Sequence, residues 1–190
     1  VNDGAILYLD FDGVMHPEAV YWHPRRGAYL GRDVADDHGL FEHASLLESL
    51  LEPYPHVRIV LSTSWVGQYR YSGAARRLPL GLRERCVGAT FHSAMSRTQF
   101  ERTPRGMQVV ADVVRRRAKA WLALDDCRDG WPRFAIDHVV FTHEVEGIAH
   151  PDVLARLRSR LAEQFGEVEN VLLEKQGAEQ AACEAARDAP

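Results

Sequence analysis

Three short apolar runs, each ending in side chains that carry oxygen, constrain this chain most. Ala5–Leu9 (AILYL) runs into Asp10, Val57–Leu61 (VRIVL, interrupted by Arg58) into Ser62, and Ala120–Leu124 (AWLAL) into Asp125-Asp126. These are strand lengths. A run that is apolar throughout, not at alternate positions, belongs to a strand covered on both faces. Val139–Phe141 reads as a fourth strand and Val87–Phe91 as a further short one. Helical patterns lie between them. Ala44–Leu51 has apolar residues at helical spacing and stops before Pro53, and Val66–Arg85 is helical but broken by Gly73, Pro79 and Gly81. Arg105–Lys119 places Met107, Val110, Val113 and Val114 on one face, with Thr103 as the expected N-cap and Pro104 in the first turn. Pro151–Phe165 is amphipathic, and Gly13–Arg32 reads as a loop or small hairpin. Strands alternating with helices predict an α/β fold with a mainly parallel central sheet flanked by helices. One domain is expected over residues 1–165. The Ala/Glu/Gln-rich residues 166–190 are expected to form a helical or flexible tail.

Composition narrows the partners. The net charge of −4 over 190 residues conceals a split. Residues 1–64 carry 4 basic and 10 acidic side chains, residues 65–119 carry 12 and 3, and residues 120–190 carry 7 and 14. A cationic middle third therefore lies between two acidic ones, and a polyanionic partner is worth considering. Of the 23 basic residues only Lys119 and Lys175 are lysines. The cysteines, Cys86, Cys127 and Cys183, form no C-x-x-C pair, which argues against a disulfide framework and a cysteine zinc site. No apolar run approaches the ~20 residues that span a bilayer. No secretion-signal pattern is visible, so no membrane association and a reducing cytoplasm are expected.

The chemistry lies where ligands bind in parallel sheets, at the carboxyl ends of the strands. Asp10-Phe11-Asp12-Gly13-Val14 puts two carboxylates beyond the first strand, with Gly13 permitting a sharp departure of the backbone. Asp125-Asp126 adds two more beyond another strand. Clustered carboxylates repel, so the group calls for a cation or a shared proton. A set of oxygen ligands without cysteine suits Mg²⁺ better than Zn²⁺. With the Ser62 hydroxyl and a nearby basic residue, this describes a Mg²⁺-dependent phosphoryl-transfer site with a carboxylate nucleophile.

Leu9-Asp10-Phe11-Asp12-Gly13-Val14 resembles the first motif of the haloacid dehalogenase (HAD) superfamily in its phosphatase form. Ile59-Val60-Leu61-Ser62 resembles the second motif and Leu122-Ala123-Leu124-Asp125-Asp126 the fourth. The match spans roughly residues 5–165. Asp12-Gly13-Val14-Met15-His16-Pro17, Leu61-Ser62-Thr63-Ser64-Trp65, Trp121–Asp126, and Phe141-Thr142-His143 with Gly147-Ile148 are similar to the HAD domain of Swiss Army Knife RNA-repair proteins. That family tends to have Asp where this chain has His143.

The resemblance implies a Rossmann-like HAD fold and assigns roles. Asp10 is the nucleophile that forms an aspartyl-phosphate. Asp12 protonates the leaving oxygen and then activates water. Asp10, Asp12 (through its carbonyl), Asp125 and Asp126 are the metal residues, with Asp125 as a second or outer ligand. Ser62 holds the phosphoryl group, with Thr63 beside it. The family's third motif is a Lys or Arg. Lys119 lies at the root of the strand that ends in Asp125, and a five-residue strand rises ~16 Å. Arg105 starts the helix leading into that strand, on the catalytic edge. Arg105 is therefore favoured over Arg97, and Arg97 over Lys119; an arginine can grip phosphate bidentately. Gly13–Pro55 holds 43 residues and Trp65–Pro104 holds 40, so no large cap domain is expected. The function expected is a Mg²⁺-dependent phosphatase for a bulky substrate such as a nucleic-acid phosphate end. The alternatives are a small-metabolite phosphatase and a catalytically idle HAD-fold binding module. Arg70, Arg76, Arg77, Arg97, Arg102 and Arg105 would line a polyanion groove. His16 is read as orienting substrate or as an exposed loop histidine. Trp65, Tyr69 and Tyr71 are read as packing residues more readily than as base-stacking ones.

Overall fold

The computed structural model describes residues 4–166. Its centre is a five-stranded, wholly parallel sheet in the order β5-β4-β1-β6-β7. The strands are β1 (Ala5–Leu9), β4 (Arg58–Leu61), β5 (Cys86–Ala89), β6 (Ala120–Asp125) and β7 (Val139–Phe141). A two-stranded antiparallel hairpin, β2 (Val20–His23) and β3 (Gly27–Leu30), follows β1. The helices are α1 (Arg32–Ala35), α2 (Ala44–Leu51), α3 (Trp65–Ala75), α4 (Leu80–Arg85), α5 (Arg97–Arg102), α6 (Arg105–Arg116) and α7 (Pro151–Leu161). The expected α/β architecture is present, and no large cap interrupts it. Among the described residues no helix is long and apolar enough to cross a membrane. Gly166 closes a π-helical turn after α7; the rest of the tail expected at 166–190 lies outside the described residues.

The continuous apolar runs have a physical cause. Every residue of β1 is buried, because its side chains feed two cores. Leu7 and Leu9 enter the larger core with Leu47, Leu61, Trp65 and Leu157. Ile6 and Tyr8 enter the smaller one with Val60, Val109 and Trp121. Burying a large apolar side chain contributes about 1.5–3 kcal/mol, so β1 is a main anchor of both layers.

The ladder continues past the strand ends. Asp10 N–H donates to the Leu124 carbonyl (3.1 Å), Ser62 N–H to Leu9 (2.8 Å), Thr90 N–H to Leu61 (2.9 Å) and Thr142 N–H to Asp125 (3.1 Å). The first residue beyond β1, β4, β5 and β7 is therefore held in register with its neighbour. The chain runs from β1 to β4 and β5 on one side, then returns to β6 and β7 on the other. The strand order thus reverses beside β1 and β6, where ligand crevices form in open α/β sheets.

Two local readings need correction. Thr103 does not cap α6: its hydroxyl donates to the Gln99 carbonyl, and Pro104 occupies the N-cap position. Nor do Met107 and Val114 face the core; they are 44% and 71% exposed, while Gly106, Val109 and Asp112 are buried. Asp112 is stable there because Tyr8 Oη, Arg115 and Arg116 all donate to it. Helix α3 also breaks at Arg70, whose φ is +58°.

Candidate active site

Asp10, at the end of β1, is buried. Its Oδ1 accepts from Phe11 N–H (2.7 Å), its carboxylate accepts from the Thr63 hydroxyl, and its Oδ2 pairs with Arg105 Nη2 at 3.1 Å. Arg105 Nε stands 3.5 Å from Asp125 Oδ2. Arg105 Nη1 donates to the Ser62 carbonyl and lies 3.5 Å from Ser62 Oγ. One guanidinium from the start of α6 thus ties together the ends of β1, β4 and β6. Lys119 is at the opposite edge, where its N–H bonds to the Gly4 carbonyl before β1 begins. Arg97 is 57% exposed, pairs with Glu101 at 2.7 Å, and stands in a neighbouring groove of about 460 Å³ that Arg102, Arg105, Phe91 and Phe100 also line. The structure therefore brings Arg105, but not Lys119 or Arg97, to Asp10.

Ligand oxygens of Asp10, Asp125 and Asp126 lie within 4.8 Å of one another. Burial pushes Asp10 above the usual carboxylate range, against the pull of Arg105. Burial and then the Asp10 charge push Asp125 well above it. Asp126 is pushed up to about 6 by burial, Asp10 and Glu18. Asp125 Oδ2 is buried without a hydrogen bond, and Arg105 alone does not neutralise three carboxylates. This donor set, hard and short of positive charge, fits a Mg²⁺-like ion. Gly13 makes room for it: φ is +65°, and a Cβ there would fall 2.5 Å from Asp126 Oδ2. The Asp12 carboxylate stands outside this group.

Asp12 instead turns toward neutral donors. Its Oδ1 accepts from Trp65 Nε1 (2.7 Å) and meets His16 Nε2 at 3.1 Å, while Ser64 Oγ is 3.5 Å from Oδ2. His16 Nδ1 accepts from Phe41 N–H (3.2 Å), so the imidazole proton sits on Nε2 and points at Asp12. His16 is fully buried, which corrects its reading as an exposed loop residue or a substrate contact. Trp65 is buried as well, with an unforeseen bond to Asp12. The four-residue spacing of Asp12 and His16 was a usable signal; nothing local announces Trp65.

Asp10, Asp12, Arg105, Asp126, Thr142 and His143 line an open pocket of about 690 Å³. Thr142 after β7 donates to the Gly13 carbonyl at 2.7 Å, fixing the turn that carries Asp12. Ile148 N–H bonds the Val14 carbonyl at 3.1 Å. Gly147 (φ +51°) lets the chains meet, since a Cβ there would fall 2.3 Å from that oxygen. His143 Nδ1 accepts from the N–H groups of Val145 (3.2 Å) and Glu146 (3.1 Å). An aspartate oxygen closes an Asx-turn in the same way, so the departure at His143 preserves the local turn. Ser62 and Thr63 are both buried just beyond β4, behind Asp10 and Arg105 and not in the lining of this pocket; the Thr63 hydroxyl reaches the nucleophile candidate, and Thr63 lines the neighbouring groove.

The family model for the HAD domain in Swiss Army Knife RNA repair proteins matches residues 6–153. Searches of curated proteins and of solved structures yielded no match. The match takes in β1 through the start of α7 and every strand-end residue described above. The chain belongs to the family of HAD domains found in Swiss Army Knife RNA repair proteins.

Proposed function

We propose that the chain is a Mg²⁺-dependent phosphatase that works through an aspartyl-phosphate on Asp10, with nucleic-acid phosphate ends as its favoured substrate. The observation that carries the mechanism is the contrast between two carboxylates of one turn. Asp10 is buried against Arg105 and a carboxylate pair, whereas Asp12 is held by neutral donors at the edge of the same pocket. Such pairs take different roles.

An Asp10 carboxylate oxygen attacks phosphorus, and the bond from phosphorus to the ester oxygen breaks. Asp12 passes its proton to that oxygen, and the alcohol leaves. Asp12, now a carboxylate, takes a proton from water; the water oxygen attacks phosphorus, and the bond to Asp10 breaks to release phosphate. Arg105, Ser62 and Thr63 orient the phosphoryl oxygens and receive their charge. Asp10, Asp126, the Asp12 carbonyl and, more remotely, Asp125 would hold Mg²⁺, whose charge lets a phosphate dianion approach a carboxylate. His16 and Trp65 aim Asp12.

The substrate reading rests on family membership and on the groove of Arg97, Arg102 and Arg105 with Phe91 and Phe100 beside the site. Other arginines of the cationic third have structural work. Arg85 donates to the carbonyls of Leu51, Tyr54 and Val57, and Arg115 and Arg116 pair with Asp112. A screen of phosphorylated oligonucleotides against small phosphate esters, with and without Mg²⁺, tests the proposal. Mg²⁺-dependent release from oligonucleotide ends, weakening steeply with salt, is expected. Preference for small esters with no salt dependence would make it a metabolite phosphatase.

A further inference from the structure

The β2–β3 hairpin carries a feature that the phosphate chemistry does not use. Tyr21, Trp22 and Tyr29 are 56%, 50% and 40% exposed, an unusual concentration of aromatic surface on eight strand residues. Tyr21 and Tyr29 pair across the strands with ring centroids 6.0 Å apart. Side chains alternate along a strand, so Trp22, whose partner is Ala28, occupies the opposite face. A small residue opposite a large ring leaves that ring uncovered.

That face closes over a slot of about 140 Å³ between the hairpin and α3. Val20, Trp22 and Ala28, with the neighbouring Tyr21, line the hairpin side, Ser64, Trp65, Gln68 and Tyr69 the other, and Asp12 lines it too. The hairpin is pinned in place: Tyr69 Oη accepts from Ala28 N–H at 3.0 Å. Asp12 thus borders both the pocket where phosphate is expected and a ring-sized slot beside it.

We propose that this slot binds the nucleobase of the nucleotide whose phosphate is removed, with Trp22 as the stacking surface. The inference rests on the phosphatase reading above, in which Asp12 protonates the leaving oxygen; the leaving nucleoside then departs beside Asp12. A planar heterocycle matches an uncovered indole. The polar edge of a base also finds the Gln68 amide and the Ser64 hydroxyl, donors and acceptors that a plain benzene ring would leave unpaired. Arg25 and Arg26 at the hairpin tip and Arg77, whose guanidinium lies 4.5 Å from the Tyr69 ring centre, supply positive charge for an attached phosphodiester chain. Trp22 is a positioning and specificity residue; it touches the base and not the reacting atoms.

The test compares kcat/KM for adenosine monophosphates, in the 3′ and 5′ forms, with kcat/KM for glycerol 3-phosphate and 4-nitrophenyl phosphate. Base–aromatic stacking, read by alanine substitution, corresponds to roughly a fivefold to 150-fold effect. Trp22→Ala should lower the adenylate-to-glycerol ratio by that factor, chiefly through KM, and Trp22→Phe should restore most of it. An unchanged ratio overturns the proposal. A loss confined to 4-nitrophenyl phosphate would assign the slot to an aryl ester and also overturn it. Calorimetric binding of adenosine monophosphate to Asp10→Asn, with and without Trp22→Ala, decides the slot independently of turnover: weaker binding in the double variant supports it, equal binding refutes it. Absence of turnover of every ester by the unaltered protein would instead mark failure of the phosphatase reading.

Discussion

Asp10 and Asp12 are two positions apart, yet their surroundings are opposite. Asp10 lies on the charged side: it is buried, shares Arg105 with Asp125, and lies among carboxylates that burial drives toward protonation. Asp12 lies on the neutral side, held by an indole N–H and by a histidine whose proton is directed by a backbone amide. In the proposed mechanism the charged side gathers a cation and the phosphate. The neutral side aims one carboxyl group, which in the proposed mechanism first gives and then takes a proton. The turn at Gly13 and the Thr142 bond to its carbonyl keep the two halves apart.

The strongest way to break this contrast is Asp10→Asn. It should abolish turnover of an aryl phosphate, by more than about a thousandfold, with an unchanged circular dichroism spectrum; retained activity would remove the nucleophile from the charged side. Next, Arg105→Ala should lower kcat/KM by about 10²–10³-fold, the scale of losing one charge-stabilising donor. Lys119→Ala should leave it within about twofold, and the reverse order would transfer the phosphate-binding role. On the neutral side, Trp65→Phe keeps the ring and removes the N–H. It should slow hydrolysis of an alkyl phosphate about tenfold more than that of 4-nitrophenyl phosphate, whose leaving group needs little acid help. Equal losses on both would mean that Trp65 only supports the core.

The smallest effect is a pH dependence. Asp126 titrates at about 6 in the folded chain against 3.8 unperturbed. Its folded value is raised, so the folded state holds this proton more tightly. The stability it contributes is present at low pH and lost as pH rises through about 6. A bound cation offsets the loss by favouring the ionised form. Differential scanning fluorimetry should therefore show a larger Mg²⁺-induced rise in Tm above pH 6 than below it. A rise independent of pH would detach Asp126 from the metal site.

Much of this was legible in the sequence for one reason: β1, β4 and β6 are covered on both faces, so burial leaves a continuous apolar run that ends where the site begins. Arg105 and Lys119 could be separated in advance because a βα unit puts the start of its helix and the start of its strand on opposite edges. What could not be read depends on contacts distant in sequence. Asp112 lies where an apolar residue would be expected, because Tyr8 and two arginines satisfy it. Helix α5 has no apolar period, and its N-cap bond from Gln99 N–H to Ser96 Oγ is what marks its start. His16 looked like a loop residue because Phe41 and Trp65, which bury it, are 25 and 49 positions away.

The central claim is that the phosphoryl group passes through Asp10, with Asp12 acting in each half of the cycle. Asp12→Asn with 4-nitrophenyl phosphate and Mg²⁺ tests it directly, because that leaving group departs without an acid while hydrolysis of the phosphoenzyme still needs the base. The account predicts a burst of about one nitrophenol per enzyme molecule, and peptide mass spectrometry that places the retained phosphoryl group on Asp10. Linear release with no burst, or a phosphoryl group on any other residue, would contradict it.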